Sequence, residues 1–282
     1  MPEARGGRKS KGPRARGRAP ARAARSPERG GGLLAVDVGN SDTVVGMFTG
    51  RELTGFWRFT SRAATADEIA LRLETLARAH HWPRALGAVL CSVVPSLTLP
   101  WAGALGRQAG GPPVEVNAST ARNLPVRYHD RSAVGADRIA NAVAARELYG
   151  VPAIVVDLGT ATTFDCISDR GAYLGGAIAP GVATSAEELF RRAARLPRVE
   201  LRRPARALGR TIEESLQAGV LWGAAGQVDA LVRRLALEMK GTPAVIATGG
   251  LAAIVAPECE TINRVDEALT LKGMRIIWED AR

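Results

Sequence analysis

Two stretches of this chain place an aspartate, a glycine and a run of polar residues directly behind a short apolar segment. Residues 154–163 read Ile-Val-Val-Asp-Leu-Gly-Thr-Ala-Thr-Thr, and residues 33–43 read Leu-Leu-Ala-Val-Asp-Val-Gly-Asn-Ser-Asp-Thr. An aspartate at a strand end can hold a cation or orient an attacking group. The glycine lets the backbone turn closely against a ligand, and hydroxyls and N–H groups behind it can face phosphate oxygens. A single strand-turn of this kind is common, so its repetition carries the information. Aligned without a gap, the copies match Asp37 to Asp157, Gly39 to Gly159 and Thr43 to Thr163.

The surroundings repeat as well. Val44 to Phe48, a turn at Gly50-Arg51 and Leu53 to Phe59 follow the first copy; Phe164 to Ile167, a turn at Asp169 to Gly171 and Tyr173 to Ile178 follow the second. Each copy predicts a strand, a phosphate-type turn and a hairpin. Two such units face to face would put both aspartates and both turns around one cleft, which is a duplicated α/β fold with a nucleotide between its lobes.

Other elements must carry the remaining polar groups. Thr65-Ala66-Asp67-Glu68 is a capping box opening a helix to about Ala79. A strand over 86–91, a helix to Arg107, a short strand at 114–116 and a loop over 123–133 follow. Gly135-Ala136-Asp137-Arg138 opens a helix to about Tyr149, where Asp137 reads either as a carboxylate at a helix N-terminus or as a functional group. A helix starts near Ser185, and a capping box at Thr211 starts another, running to Lys240. Ala244 to Ala247 is a strand running into Thr248-Gly249-Gly250, either an ordinary tight turn or a close approach to a flat ligand such as adenosine. A last amphipathic helix spans 266–280.

Composition removes several classes. The chain has 282 residues, enough for two cores, and no apolar run approaches the ~18 residues of a membrane helix. Its net charge of +10 is concentrated at one end: residues 1–30 hold ten Arg and Lys against two Glu. That Pro-, Gly- and Ala-rich stretch reads as a disordered tail over residues 1–32. Phosphate contact with nucleic acid is disfavoured, because no aromatic residue interleaves the charges. The three cysteines, Cys91, Cys166 and Cys259, are scattered and suit a reducing cytoplasm. After residue 30 the only lysines are Lys240 and Lys272, so no Walker-type lysine cradle exists, and no G-x-S-x-G, H-E-x-x-H or paired C-x-x-C occurs. Aspartates at strand ends with glycine and hydroxyl turns suit phosphoryl transfer, which depends on positioning and charge neutralisation.

Together, Asp37-Val38-Gly39-Asn40, Gly135-Ala136-Asp137-Arg138-Ile139, Asp157 to Thr163 and Thr248-Gly249-Gly250 resemble, in order and spacing, the type III pantothenate kinases of the actin-like ATPase superfamily. The resemblance covers about residues 33–282. It implies two ribonuclease-H-like domains, 33–149 and 150–282, with ATP between them, and transfer of the γ-phosphate to the primary hydroxyl of pantothenate, the first step towards coenzyme A. It implies an ATP turn formed by Asp37, Val38, Gly39, Asn40, Ser41, Asp42, Thr43 and Val44, with Thr160 a further ATP contact. Asp37 would orient Mg²⁺ and its water, and Asp157 would hold a monovalent cation, K⁺ or NH₄⁺. Asp137 would accept the hydroxyl proton, while Tyr128, Gly135, Ala136, Arg138 and Thr211 would line the pantothenate site. It further implies a homodimer with that pocket near the subunit interface. The chain departs from the family pattern where Ser41-Asp42 replaces Thr-Asn and where Asp130-Arg131 replaces Asn-Pro. A non-catalytic accessory homologue, or a kinase of another small molecule, are the alternatives; intact Asp37, Asp137 and Asp157 count against the first, and the Gly-Ala-Asp-Arg segment against the second.

Overall fold

A computed structural model describes residues 31–282. Residues 1–30, nearly all of the expected tail, lie outside the described residues, and Gly32 already belongs to the first strand. The strands form two sheets. The first holds β1 (Gly32–Val38), β2 (Asp42–Thr49), β3 (Glu52–Thr60), β4 (Ala85–Ser92) and β5 (Val114–Glu115) in the order β3-β2-β1-β4-β5. The second holds β6 (Ala153–Leu158), β7 (Ala161–Ile167), β8 (Tyr173–Pro180), β9 (Ala244–Thr248) and β10 (Arg264–Val265) in the order β8-β7-β6-β9-β10. In both, a three-stranded antiparallel meander continues into parallel pairing, β1 with β4 and β6 with β9. The two halves therefore share one topology, and β10, which has no strong pattern of its own, is the counterpart of β5.

Among the described residues seven helices cover these sheets: α1 (Ala66–Ala79), α2 (Pro95–Ala109), α3 (Ala136–Tyr149), α4 (Val182–Arg192), α5 (Ile212–Leu237), the single turn α6 (Ala252–Val255) and α7 (Leu269–Ala281). The capping box at the start of α1 is complete: the Glu68 N–H donates to Thr65 Oγ1 at 3.3 Å and the Thr65 N–H to Glu68 Oε2 at 2.7 Å. At α5 the box is only half made. The Glu214 N–H donates to Thr211 Oγ1 at 3.1 Å, but the Glu214 carboxylate accepts from the Arg210 N–H instead.

β1 and β6 are central strands buried on both faces, which is why they read as continuous apolar runs. Leu34 and Val36 pack outwards against Ile69, Leu73, Leu97 and Leu105 of α1 and α2. Ile154 and Val156 pack outwards against Leu221, Val228 and Val232 of α5. Their alternate residues, Leu33, Ala35, Ala153 and Val155, meet Ile139 and Val143 of α3 and Met274 and Ile277 of α7 in one inner core. The helix that ends the chain thus lies on the sheet that begins it. Every residue of α3 from Arg138 to Ala145 is buried. Its alanines let neighbours approach from all sides, and α7 answers with Gly273, where a Cβ would overlap the Ala140 carbonyl. That crossing fixes the start of α3, and with it Asp137, between the two sheets.

Candidate active site

Both glycine turns open into a single cavity of about 530 Å³, lined by residues from each sheet and from α3, α4 and α7. Asp37, Asp137 and Asp157 all face it. Gly39, Asn40, Ser41, Asp42 and Val44 line it from the first turn, and Gly159, Thr160, Ala161 and Thr163 from the second. The turns touch: Ser41 Oγ and Thr160 Oγ1 share a hydrogen bond of 2.8 Å. Val38 is buried in the outer core. Thr43 is buried too, its hydroxyl 2.8 Å from Ser61 Oγ, and Ser61 in turn donates to the Gly39 carbonyl at 2.6 Å. These two residues support the first turn from behind.

Strand register corrects the gapless alignment of the copies. Asp37 pairs with Val44 and Val38 with Thr43, whereas Asp157 pairs with Thr163 and Leu158 with Thr162. The counterpart of Thr43 is therefore Thr162, with both side chains buried, and Thr163 corresponds to Val44, with both facing the cavity. The first turn holds one residue more than the second. Matching threonine to threonine by sequence hid this because both positions in the second copy are threonine.

Three carboxylates converging in an enclosed space repel one another. Burial, then Asp137 and Asp157, push the Asp37 carboxyl up to about 7, although the Cys91 thiol beside it acts the other way. Burial and then Asp137 raise Asp157 to about 6, opposed by the amide of Asn141. Asp137 is raised by burial, with the Arg138 N–H, which donates to its Oδ1 at 2.8 Å, in opposition. The cavity holds excess negative charge, a setting in which a bound cation gains most. Among the described residues no three His, Cys, Asp or Glu side chains are grouped to hold a metal by themselves.

Asn141 of α3 orients Asp157, and sequence reading missed it. Its Nδ2 donates to Asp157 Oδ2 at 3.0 Å while its Oδ1 accepts from the Thr270 hydroxyl of α7 at 2.8 Å. The available signal was helical spacing, since Asp137 and Asn141 stand four residues apart on one face. On the other side of Asp157 lies Gly249, with φ of +93° and a position where any Cβ would sit 2.5 Å from Asp157 Oδ1. Thr248, Gly249 and Gly250 all line the cavity, so the double glycine lets the backbone approach the site closely.

The remaining expected positions lie elsewhere. Gly135 is the N-cap of α3, and Ala136 is half-buried behind it. Arg138 points away from Asp137 into the second sheet, where its Nε donates to Asp165 Oδ1 at 2.6 Å and its Nη2 to the Phe164 carbonyl at 3.1 Å. The Tyr173 hydroxyl donates to the same Asp165 oxygen at 3.0 Å. Burial raises the Asp165 carboxyl, and Arg138 and then Tyr173 oppose it. Arg138 lies 5.9 Å from the Tyr173 ring centroid, and Tyr128, exposed, lies 6.5 Å from that ring and packs against Gly175. Tyr128, Tyr173 and Arg138 form a second patch beside Asp137. Thr211 caps α5 on the surface, outside the cavity.

Two sheets of identical topology with a polar cleft between their central turns define the ribonuclease-H-like fold of the actin-like ATPase and sugar-kinase class. The solved component A of (R)-2-hydroxyglutaryl-CoA dehydratase from Acidaminococcus fermentans shares this fold at a TM-score of 0.51 and 13% identity, covering 89% of this chain and 100% of that one. The sequence model of type III pantothenate kinase matches residues 33–234. The type III pantothenate kinase of Moorella thermoacetica is 50% identical over 252 residues, covering 88% of this chain and 98% of that protein. That of Geobacter sulfurreducens is 44% identical over 257 residues, covering 89% and 99%. The chain belongs to the type III pantothenate kinase family, and it is an ATP-dependent kinase acting on pantothenate.

Proposed function

We propose that the shared cavity is where the γ-phosphate of ATP passes to the primary hydroxyl of pantothenate. The observation that carries this is the convergence of Asp37, Asp137 and Asp157 with both glycine turns on one cavity. The first turn, Asp37 to Val44, and Thr160 hold the triphosphate. Asp137 receives the proton as the hydroxyl oxygen bonds to phosphorus and the bond to the β-phosphate oxygen breaks, releasing ADP. A loose transition state gives up that proton late, so a carboxylate suffices as acceptor; burial, which raises Asp137, improves its match.

The donor set fits two cations. Asp37 would hold Mg²⁺ through water, and Asp157, fixed by Asn141, would hold K⁺ or NH₄⁺. With no three-carboxylate cage among the described residues, a divalent ion must complete its shell from phosphate oxygens and water, as Mg²⁺ commonly does. Bound there, it would neutralise charge on the transferring phosphate. Tyr128, Gly135, Ala136 and Arg138 line the pantothenate side; Arg138 retains Nη1 for an anion, since its other nitrogens already have protein partners. Thr211, which is not among the cavity's lining residues in one chain, completes the pocket in a homodimer. The repeats span 33–149 and 150–282, with α7 returning to the first sheet. Among the described residues no helix is long and apolar enough to cross a membrane, and Cys91, Cys166 and Cys259 are all free thiols, which supports a cytoplasmic location.

A coupled ADP-release assay with pantothenate, with and without K⁺, tests this reading. Turnover that requires pantothenate and rises with K⁺ is expected; ADP release indifferent to pantothenate would sink it.

A further inference from the structure

Six carboxylates line the cavity, from Asp37, Asp42, Asp137, Asp157, Glu187 and Glu267, and Arg58 is the only basic residue among its described lining residues. Lys272, one of two lysines after residue 30, is held by both oxygens of Asp266, at 2.8 and 2.7 Å, and does not reach the cavity. A triphosphate entering this space meets strong repulsion and one fixed protein cation.

Arg58 stands on the edge strand β3 directly opposite Val44, so both side chains leave the sheet on the cavity face. Its guanidinium then crosses the cleft. A Cβ placed on Gly250, in the turn after β9, would lie 3.5 Å from Nη1, 3.8 Å from Cζ and 3.9 Å from Nη2. The residue therefore links the outer edge of the first sheet to the double-glycine turn of the second. Both floor carboxylates feel it, because its charge lowers the pKa values of Asp37 and Asp157 against the effects that raise them.

Among the described residues its one ion-pair partner is Asp42, with Nη1 3.2 Å from Oδ2 and both side chains about two-fifths exposed, at 40% and 42%. An exposed pair of this kind contributes little. A phosphate offers the guanidinium two oxygens and more charge, so it outcompetes a single carboxylate oxygen.

We propose that Arg58 is the cation that binds the outer phosphates of the nucleotide, and that Asp42 is an exchangeable partner which holds the guanidinium at the cavity mouth until nucleotide arrives. This rests on the kinase reading above. It also gives Asp42 a place in the site: its charge faces Arg58, and the exchange leaves the triphosphate paired where the carboxylate was.

The test titrates MgATP and MgADP into the parent protein and into Arg58→Ala, Arg58→Lys and Asp42→Asn by calorimetry, alongside Michaelis constants for ATP and pantothenate. Arg58→Ala should weaken MgATP at least tenfold and MgADP by less, leave the pantothenate KM within twofold, and leave the melting temperature unchanged. Arg58→Lys should recover part of the loss. Asp42→Asn should tighten MgATP two- to fivefold, because it removes both a competitor and a repelling charge. MgATP affinity within twofold of the parent in Arg58→Ala would overturn the contact, and weaker MgATP binding in Asp42→Asn would overturn the exchange. A parent protein that binds MgATP but never phosphorylates pantothenate would count against the kinase reading alone, since the nucleotide titrations still decide the role of Arg58.

Discussion

The first and second glycine turns of this molecule have the same strand arrangement on either side and different surroundings. The first, between β1 and β2, is a residue longer, carries Asn40, Ser41 and Asp42, and is braced from behind by Thr43 and Ser61. The second, between β6 and β7, is shorter, carries the single hydroxyl of Thr160, and has its aspartate held by an amide from α3. A longer turn exposes more backbone N–H groups to a phosphate, whereas a fixed carboxylate suits a single ion. The frame is symmetric, and a one-residue difference in turn length with one helix contact makes the halves unequal. Between them stands Asp137, at the start of α3, the helix that follows β5 in the first copy as α7 follows β10 in the second.

That placement predicts the largest effect. Asp137→Asn should lower kcat about 10²- to 10⁴-fold, the range of a lost acid–base group, while calorimetric MgATP affinity stays near the parent value. Retained turnover would hand the proton to one of the two repeated aspartates and break the division of labour.

A smaller effect should separate the copies themselves. Asp157→Asn is expected to abolish activation by K⁺, and Asn141→Leu to weaken it by about 10- to 100-fold in cation affinity, as for outer-shell partners of metal ligands. Asp37→Asn should leave the K⁺ response in place and lose its Mg²⁺ dependence instead. Measuring activity across K⁺ and Mg²⁺ concentrations in each variant checks this, and identical responses from Asp37→Asn and Asp157→Asn would erase the distinction.

The glycines of the two turns give a sharper and still smaller contrast. A Cβ on Gly39 would lie 2.9 Å from the Asp42 carbonyl, while one on Gly159 would meet nothing closer than 3.5 Å. Gly39→Ala should therefore cost about 1–3 kcal/mol in denaturant titrations, as overpacking does. Gly159→Ala should stay within about 0.5 kcal/mol. Equal costs would mean the turns are equivalent after all.

How much of this was legible in the residues follows from what each element depends on. The central strands were readable because burial on both faces demands continuous apolar runs. The duplication was readable because Asp, Gly and a hairpin recur in register. The threonine equivalence was misread, since a one-residue difference in a turn leaves no mark where Thr162 and Thr163 are identical. Asp165 could have been flagged as a charge inside the apolar end of β7. Arg58 could not, because nothing in its own strand announces that its guanidinium reaches a turn nearly two hundred residues later. Arg138 was placed beside Asp137 by motif, but helix geometry sends adjacent side chains about 100° apart, and so it entered the second sheet. Such long-range placements are products of packing, which no local pattern records.

The last contrast lies in the pH dependence of stability, and it too divides the copies. An aspartate gives up its proton near 3.8 in the unfolded chain, whereas Asp37 holds it to about 7 and Asp157 to about 6 in the fold. Between those limits the folded state binds more protons, so each group lowers stability as pH rises and reaches its full cost above its folded value. Asp37→Asn and Asp157→Asn should both melt higher than the ligand-free parent at pH 7.5, by about 2–4 °C for each 1 kcal/mol relieved. The gain should vanish for both near pH 4. On the way up it should level off near pH 6 for Asp157→Asn and keep growing to about 7 for Asp37→Asn. Calorimetric scans of the three proteins from pH 4 to 8 would show this, and a gain independent of pH would place its origin outside the burial and crowding of these carboxyls.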